Sequence, residues 1–295
     1  MRYKMNLQDL KYFHELVTQK SFTRTAERFN VSQPTITAAI KRLEAQFGSH
    51  LLIRDQSHKK IIITKAGMQL EQHAQAVIKE MAVAETELKQ NAEEDILFGL
   101  PPIIGDHFFP PFAGKLLKED ILNHLNVLEF GSNELLKMLL AGKINLALLG
   151  LVNIHRSTDV KLNVLAKYPF KVIVSKDHPW AKKKGVYFNE LAGHNFINLT
   201  EDFVQNRALR YLQEQNKVTL KTIYRSPDVA IIKSLVAQNL GISVLTSLAI
   251  DNTRDLVALP LLDDNTPNFN VVIATRNNYL LSKKEEQLWN ILALS

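Results

Sequence analysis

No cysteine occurs among the 295 residues. Its absence excludes disulfides, thiolate metal sites and cysteine nucleophiles, and it fits a reducing compartment such as the cytoplasm. No run approaches the ~18 apolar residues needed to cross a bilayer. The opening MRYKMNLQDLKYF has neither the apolar core nor the small-residue cleavage site of a secretory signal. Tandem repeats and low-complexity tracts are missing too. The nine histidines show no metal-ligand spacing with one another or with carboxylates. No GxSxG elbow, phosphate-binding glycine loop or dinucleotide fingerprint appears. These absences lead us to expect a soluble cytoplasmic protein that is not an enzyme and needs no metal or cofactor.

What is present is apolar content of 46%, enough for a substantial core in two or three domains. The most informative stretch is SFTRTAERFNVSQPTITAAIKRLEAQFGSHLLIR at 21–54. It reads as a helix, a tight turn, a second helix and the start of a β-hairpin wing. Ala26 is small enough for two helices to cross closely, and Asn30 sits where the turn needs a left-handed residue. Val31, Ile36, Ile40 and Leu43 are spaced to share a core. Ser32 can cap the second helix, and Pro34 loses nothing in a first turn whose N–H groups have no helical partner. The outward face carries Gln33, Thr37 and Lys41, residues suited to base edges and phosphates in a major groove.

Charge supports DNA as the partner. Residues 1–65 hold 12 Lys and Arg against 5 Asp and Glu, a net of +7, while the whole chain is +6. The other 230 residues therefore sum to −1. The positive charge belongs to the N-terminal segment, as a nucleic-acid footprint should. The β-rich runs 51–54 and 61–64 flank a polar loop with Lys59 and Lys60 near its tip and Arg54 at its entry. Such a wing either touches phosphate or the minor groove, or is a solvated loop with incidental lysines.

Thr64 can cap a helix that runs to about Asn91. Along it Leu70, Ala74, Val77, Met81, Ala84 and Leu88 alternate in steps of four and three, a heptad seam. The seam needs a partner, either another chain or the body of this one, and a second chain would supply a second half-site on DNA.

From residue 96 the texture becomes short apolar runs between helical stretches. The runs 96–100, 127–130, 144–149, 170–174, 195–198, 222–224, 242–245 and 270–274 read as strands. The stretches 108–117, 133–141, 206–215, 228–238 and 282–292 read as helices, with Gly241 as a helix C-cap. The alternation predicts parallel α/β structure in two lobes. Ligands bind such sheets at the carboxyl ends of strands near helix starts. That points to Leu100, Pro101, Pro102 and Ile103, to Gly131 and Ser132, to Leu199, Thr200 and Glu201, and to Ser226 and Pro227. Their N–H groups and the hydroxyls of Ser132, Thr200 and Ser226 suit a small anion, although each hydroxyl taken alone reads more readily as a helix cap than as a ligand contact.

The order of these parts resembles the LysR-type transcriptional regulators over nearly the whole chain. The resemblance is carried by the 21–54 stretch, by ITKAG after it, and by GSNELLKMLLAGKINLALLG, DHPWAKK and SLVAQNLGISVLT in family order. It implies an α/β protein with a winged helix-turn-helix at 1–65, a dimerising linker helix at 66–92 and a two-lobed effector-binding domain, like periplasmic binding proteins, at 93–295. Lobe I would be 93–165 with 268–295, and lobe II 166–267. The implied partners are double-stranded operator DNA, a small-molecule co-inducer, RNA polymerase, and further copies of the chain in a homodimer or homotetramer. The family's DNA-contacting positions fall on Ser32, Gln33, Pro34, Thr35, Thr37 and Arg54. Its effector loops fall on Pro101, Pro102, Ile103, Gly131, Ser132, Thr200 and Ser226. Many members carry Ser or Thr in the first effector loop, where this chain reads GLPPIIG, which leaves backbone donors to bind. That form is similar to the branch of malolactic fermentation and acetate or pyruvate overflow regulators, implying a small carboxylate such as malate, pyruvate or acetate. Two other readings stay open on the residues: an enzyme bearing a DNA-binding domain, and an architectural DNA binder that needs no ligand.

Overall fold

The computed structural model describes residues 6–55, 60–90, 95–152, 154, 158–201, 203–250 and 254–293. The chain divides into two compact units, 1–90 and 91–295.

The first unit opens with α1 (Leu7–Gln19), α2 (Phe22–Arg28) and α3 (Gln33–Phe47). Each start is written in the sequence. The Asn6 side chain accepts from the Gln8 N–H and the Ser21 hydroxyl from the Arg24 N–H, satisfying donors that have no helical acceptor. Asn30 adopts φ 53° in the turn, as its residue type allows. Ser32 stands at the N-cap of α3 but does not cap it with its side chain; its hydroxyl bonds that of Thr35 at 2.9 Å instead. Leu10, Phe13 and Leu16 of α1 pack with Ala26 and with Ile36, Ala39, Ile40 and Leu43 of α3. The wing follows as β1 (Leu52–Asp55) paired antiparallel with β2 (Lys60–Ile63).

The long helix α4 (Lys65–Gln90) starts where the Thr64 hydroxyl accepts the Gly67 N–H at 3.0 Å. A Cβ on Gly67 would lie 2.2 Å from the Leu51 carbonyl oxygen, so only glycine lets helix and strand approach here. The seam does not have one role along its length. Leu70 and Ala74 pack into the helix-turn-helix core of their own chain, with Ile78 beside them. Val77, Met81 and Leu88 remain 42%, 43% and 75% exposed. Only the later part of the stripe is thus available to another chain.

The second unit contains β3 (Ile96–Gly99), α5 (Pro102–His107), α6 (Pro110–Lys118), β4 (Leu125–Leu128), α7 (Ser132–Leu140), β5 (Leu146–Leu151) and β6 (Val160–Ser175). It continues with β7 (Asn195–Leu199), α8 (Gln205–Asn216), β8 (Lys221–Ser226), α9 (Val229–Ala237), β9 (Ser243–Thr246), β10 (Leu256–Pro260), β11 (Asn268–Arg276) and α10 (Lys283–Ala293). Strands run in the order β10-β6-β11-β5-β3-β4, with β9 also on β6, and β7 pairs β8 separately. The sheet is mixed, not parallel as the alternation predicted. Among the named strands only β3–β4, β3–β5 and β7–β8 are parallel pairs, while β11 returns antiparallel between β5 and β6.

The sixteen residues of β6 carry the chain from one lobe to the other. Residues 160–169 pair with β11, and residues 170–175 with β9 and β10. Helix α5 takes part in two clusters: Ile104 belongs to the main core, whereas Ile103 packs with Ile173, Ile197, Leu199 and Leu245. Gly241 is not the helix C-cap. The left-handed residue after α9 is Asn239, at φ 57°. Gly241 is small for another reason, since a Cβ there would lie 2.6 Å from the Asn195 carbonyl oxygen.

Candidate functional site

In the first unit, the buried face of α3 turns the other face to solvent. Ser32, Gln33, Pro34, Thr35 and Lys41 are exposed and Thr37 is half-buried. The Gln33 Nε2 donates to the Thr37 hydroxyl at 2.9 Å. That bond steadies a flexible amide and directs its carbonyl oxygen elsewhere, a useful state for reading a base edge. Lys60 is exposed at the start of β2. Lys59 and the side chain of Arg54 lie outside the described residues. Two cations in the basic tally serve the fold. Arg42 makes a two-bond fork to Asp9, Nε to Oδ2 at 2.8 Å and Nη2 to Oδ1 at 2.6 Å, and Arg28 pairs with Glu15 at 2.9 Å.

In the second unit, a pocket forms where strand ends meet helix starts. Its walls are Pro101, Pro102 and Ile103 at the entry to α5, Gly131 and Ser132 at the entry to α7, and Phe203, Val204 and Gln205 at the entry to α8. Thr246 at the end of β9 and Phe269 on β11 close it. The first two loops expected from the sequence thus line this pocket. Thr200 and Ser226 do not line it. The Thr200 carbonyl accepts from the Asn206 Nδ2 at 2.6 Å, and the Ser226 hydroxyl accepts from the Asp228 N–H at 3.1 Å. The Ser226 hydroxyl therefore serves a local turn, and Thr200 holds Asn206 through its backbone. Their places are taken by Phe203, Val204, Gln205, Thr246 and Phe269, which sequence reasoning missed. The spacing held one signal: α8 begins a few residues past Thr200, and ligands meet helix starts.

Among the described residues the pocket has no Lys, Arg or His in its wall. The N–H groups of Ser132 and Gln205 lie in the first turns of α7 and α8, ahead of intrahelical acceptors. The Ser132 hydroxyl accepts the Gly150 N–H at 2.8 Å, which leaves its own proton to donate. The Thr246 hydroxyl accepts from the Leu248 N–H at 3.4 Å and has the same capacity. Gly150 has a second task, because a Cβ there would fall 2.1 Å from Phe269 Cζ; glycine lets the ring lie against the strand and form the pocket floor. The cavity is about 20 Å³, room for one or two waters. A wider cleft of about 480 Å³ adjoins it across Pro102, Ile103 and Phe203, and is lined beyond them by Asp106, His107, Asp228 and Lys233. Among the described residues no three His, Asp or Glu side chains gather to hold a metal, and no helix is long and apolar enough to cross a membrane.

A helix-turn-helix with its wing in one unit and a ligand pocket between two lobes in the other define a ligand-responsive DNA-binding regulator. Residues 7–89 match the bacterial regulatory helix-turn-helix protein, lysR family, and residues 89–294 match the LysR substrate binding domain. The chain belongs to the LysR family of transcriptional regulators. It is 32% identical over 292 residues to the malolactic fermentation system transcriptional activator of Lactococcus lactis subsp. lactis, covering 98% of each chain. It is 28% identical over 292 residues to the DNA-binding transcriptional dual regulator OxyR of Escherichia coli, covering 96% of this chain and 93% of that one. Among solved structures, a full-length OxyR variant from Pseudomonas aeruginosa superposes with a TM-score of 0.57 at 26% identity, over 98% of this chain and 99% of that chain. The enzyme reading falls with these matches, since family and relatives are transcriptional regulators. Other relatives are hydrogen peroxide-inducible genes activators. This chain has no cysteine, so no thiol is present on which peroxide could act.

Proposed function

We propose that the chain regulates transcription from operator DNA under the control of a small carboxylate held between the lobes. The observation that carries this reading is the pocket itself. Separate loops bring hydroxyl donors and helix-start N–H groups to a small, largely apolar cavity without a cation. Helix starts favour anions, and such a wall suits a short acid such as malate, pyruvate or acetate better than a phosphate. The similarity to an activator of a malolactic fermentation system is in keeping with that class. On the DNA side, Ser32, Gln33, Pro34, Thr35 and Thr37 meet base edges or nearby phosphates in the major groove. Lys41, Arg54, Lys59 and Lys60 neutralise phosphates. The later seam residues of α4 pair two chains, as a homodimer or within a homotetramer, and RNA polymerase is the downstream partner in the cytoplasm.

The test has two arms. Sequencing the DNA that co-purifies with the protein supplies the operator. On it, Gln33→Ala should cost about 1–3 kcal/mol at one base position, whereas Lys60→Ala should weaken all sequences alike and lower the salt slope by about one. Calorimetry with malate, lactate, pyruvate, acetate and citrate supplies the effector. Ser132→Ala should weaken whichever acid binds by roughly ten- to a hundredfold, the value of one hydrogen bond to a charged group. If no acid bound the wild type at millimolar concentration, the carboxylate reading would be wrong.

A further inference from the structure

We infer that the effector must itself donate a hydrogen bond from a hydroxyl, so that the pocket selects 2-hydroxy acids over their oxo or deoxy counterparts. The inference rests on the carboxylate reading above and narrows it. It starts from Gln205, a residue of the pocket wall only 3% exposed, whose side-chain Oε1 is buried with no hydrogen-bond partner among the described residues. A buried amide oxygen without a donor is costly.

Rotating the amide does not relieve it. The Gln205 Nε2 faces two acceptors, the Val244 carbonyl at 3.0 Å and the Asn198 Oδ1 at 3.5 Å. A flip would set oxygen against both. The neighbouring amides are pinned in the same sense. The Asn206 Nδ2 must face the Thr200 carbonyl at 2.6 Å, so its Oδ1 takes the Asn198 Nδ2 at 2.8 Å. That leaves the Asn198 Oδ1 as an acceptor, which the Leu199 N–H already uses at 2.9 Å. A single backbone carbonyl thus fixes three amides, and the last of them holds its oxygen in want of a proton.

The rest of the wall offers donors: the Ser132 and Thr246 hydroxyls and the first-turn N–H groups. An acid that presents only acceptors satisfies these and leaves Gln205 unserved. The cavity is large enough for a water, which can serve the amide oxygen when no ligand is bound. A ligand that displaces that water must return the donor, and a hydroxyl beside the carboxylate does so.

The experiment uses the full chain and two ligand pairs, lactate against pyruvate and malate against succinate, measured by calorimetry. In each pair that binds, the hydroxy acid should be preferred by about tenfold or more. In Gln205→Met, checked for an intact thermal transition, that preference should fall to near one. Equal affinities within the pairs on wild type, with both members weakened by Ser132→Ala, would overturn the donor requirement and leave the carboxylate pocket standing. A preference that survives in folded Gln205→Met would overturn the assignment to Gln205. No binding by any of the four acids at millimolar concentration would remove the carboxylate reading and this inference with it.

Discussion

The pairing of Arg42 with Asp9 makes an asymmetric prediction about the DNA-reading unit. Asp9 lies on α1 and Arg42 on α3, so the fork ties the recognition helix to the helix behind it. The Asp9 side chain is 3% exposed and that of Arg42 is 49% exposed. The two partners therefore differ in what their loss leaves behind. Asp9→Asn leaves a guanidinium that water can solvate, and the cost should be about 1–2 kcal/mol. Arg42→Met leaves a buried carboxylate without its counter-ion, which typically costs about 3–5 kcal/mol. Asp9 stands in the first turn of α1, where the helix field favours an anion by about 0.3–1 kcal/mol, so the lower end of that range is expected. Both tryptophans, Trp180 and Trp289, belong to the other unit, and fluorescence would miss the effect. Hydrogen exchange of α1 and α3 peptides, read by mass spectrometry on the full chain, reports it directly. Arg42→Met should raise exchange much more than Asp9→Asn, and Asp9→Leu combined with Arg42→Met should recover part of the protection. Equal losses, or a larger loss in Asp9→Asn, would refute the argument from burial.

Other contacts set further expected outcomes. Gly150→Ala places a Cβ 2.1 Å from Phe269 Cζ, so the ring must shift; overpacking should cost about 1–3 kcal/mol in a thermal melt and weaken effector binding in calorimetry. Met81→Glu places a charge on the exposed later part of the α4 stripe. Sedimentation should show smaller species and weaker operator binding, and an unchanged oligomer would assign pairing elsewhere. His178 caps the short turn Pro179–Lys182 through its Nδ1, which accepts the Trp180 N–H at 3.1 Å. Burial, and secondarily His194, hold its pKa below the ordinary 6.5. The folded state therefore binds this proton less readily than the unfolded chain. His178 costs nothing well above 6.5 and removes stability as pH falls below it. His178→Asn keeps a cap that does not titrate, so its melting temperature should fall less than wild type between about pH 7 and 5, as scanning calorimetry would show.

The DNA-binding unit is legible because its signals are local. Asn30, Pro34 and the apolar spacing of α3 each act within a few residues, and the structure uses them as their chemistry suggests. Effects of pairing partner are harder to read. Most of β6 escapes because residues 160–169 alternate between half-buried and exposed, with Lys161, Asn163 and Lys167 among them. Only the far end, buried on both sides, shows as an apolar run. The short strand β10 ends in Pro260 and lies at the edge of the sheet, where a residue without an N–H is tolerated. Helix α5 hides behind two prolines that read as loop, yet Pro102 falls in its first turn, where a missing N–H removes no helical bond.

The same distinction explains which pocket residues were found. Gly131 and Ser132 mark a helix start that any reader of the chain can see. Thr200 and Ser226 attract notice because they bear hydroxyls at strand ends, but the Ser226 hydroxyl is taken by the Asp228 N–H beside it and neither residue lines the pocket. What reaches the pocket instead is the next helix entry, together with Phe269 from a strand that returns 119 residues after Gly150. None of these carries a polar motif, and Gln205 becomes informative only when the partners of its amide are known. Among the described residues the wall of this pocket carries no Lys, Arg or His, the nearest standing in the adjoining cleft as His107 and Lys233, so contact recognition inside it depends on shape and on each donor meeting an acceptor. Ile103 and Ile104 anchor α5 in two different clusters, so the helix that opens one wall of the pocket is held at both residues. A ligand held in this pocket would touch the starts of α5, α7 and α8 together, and three helices set by one small occupant are what a ligand-responsive regulator needs.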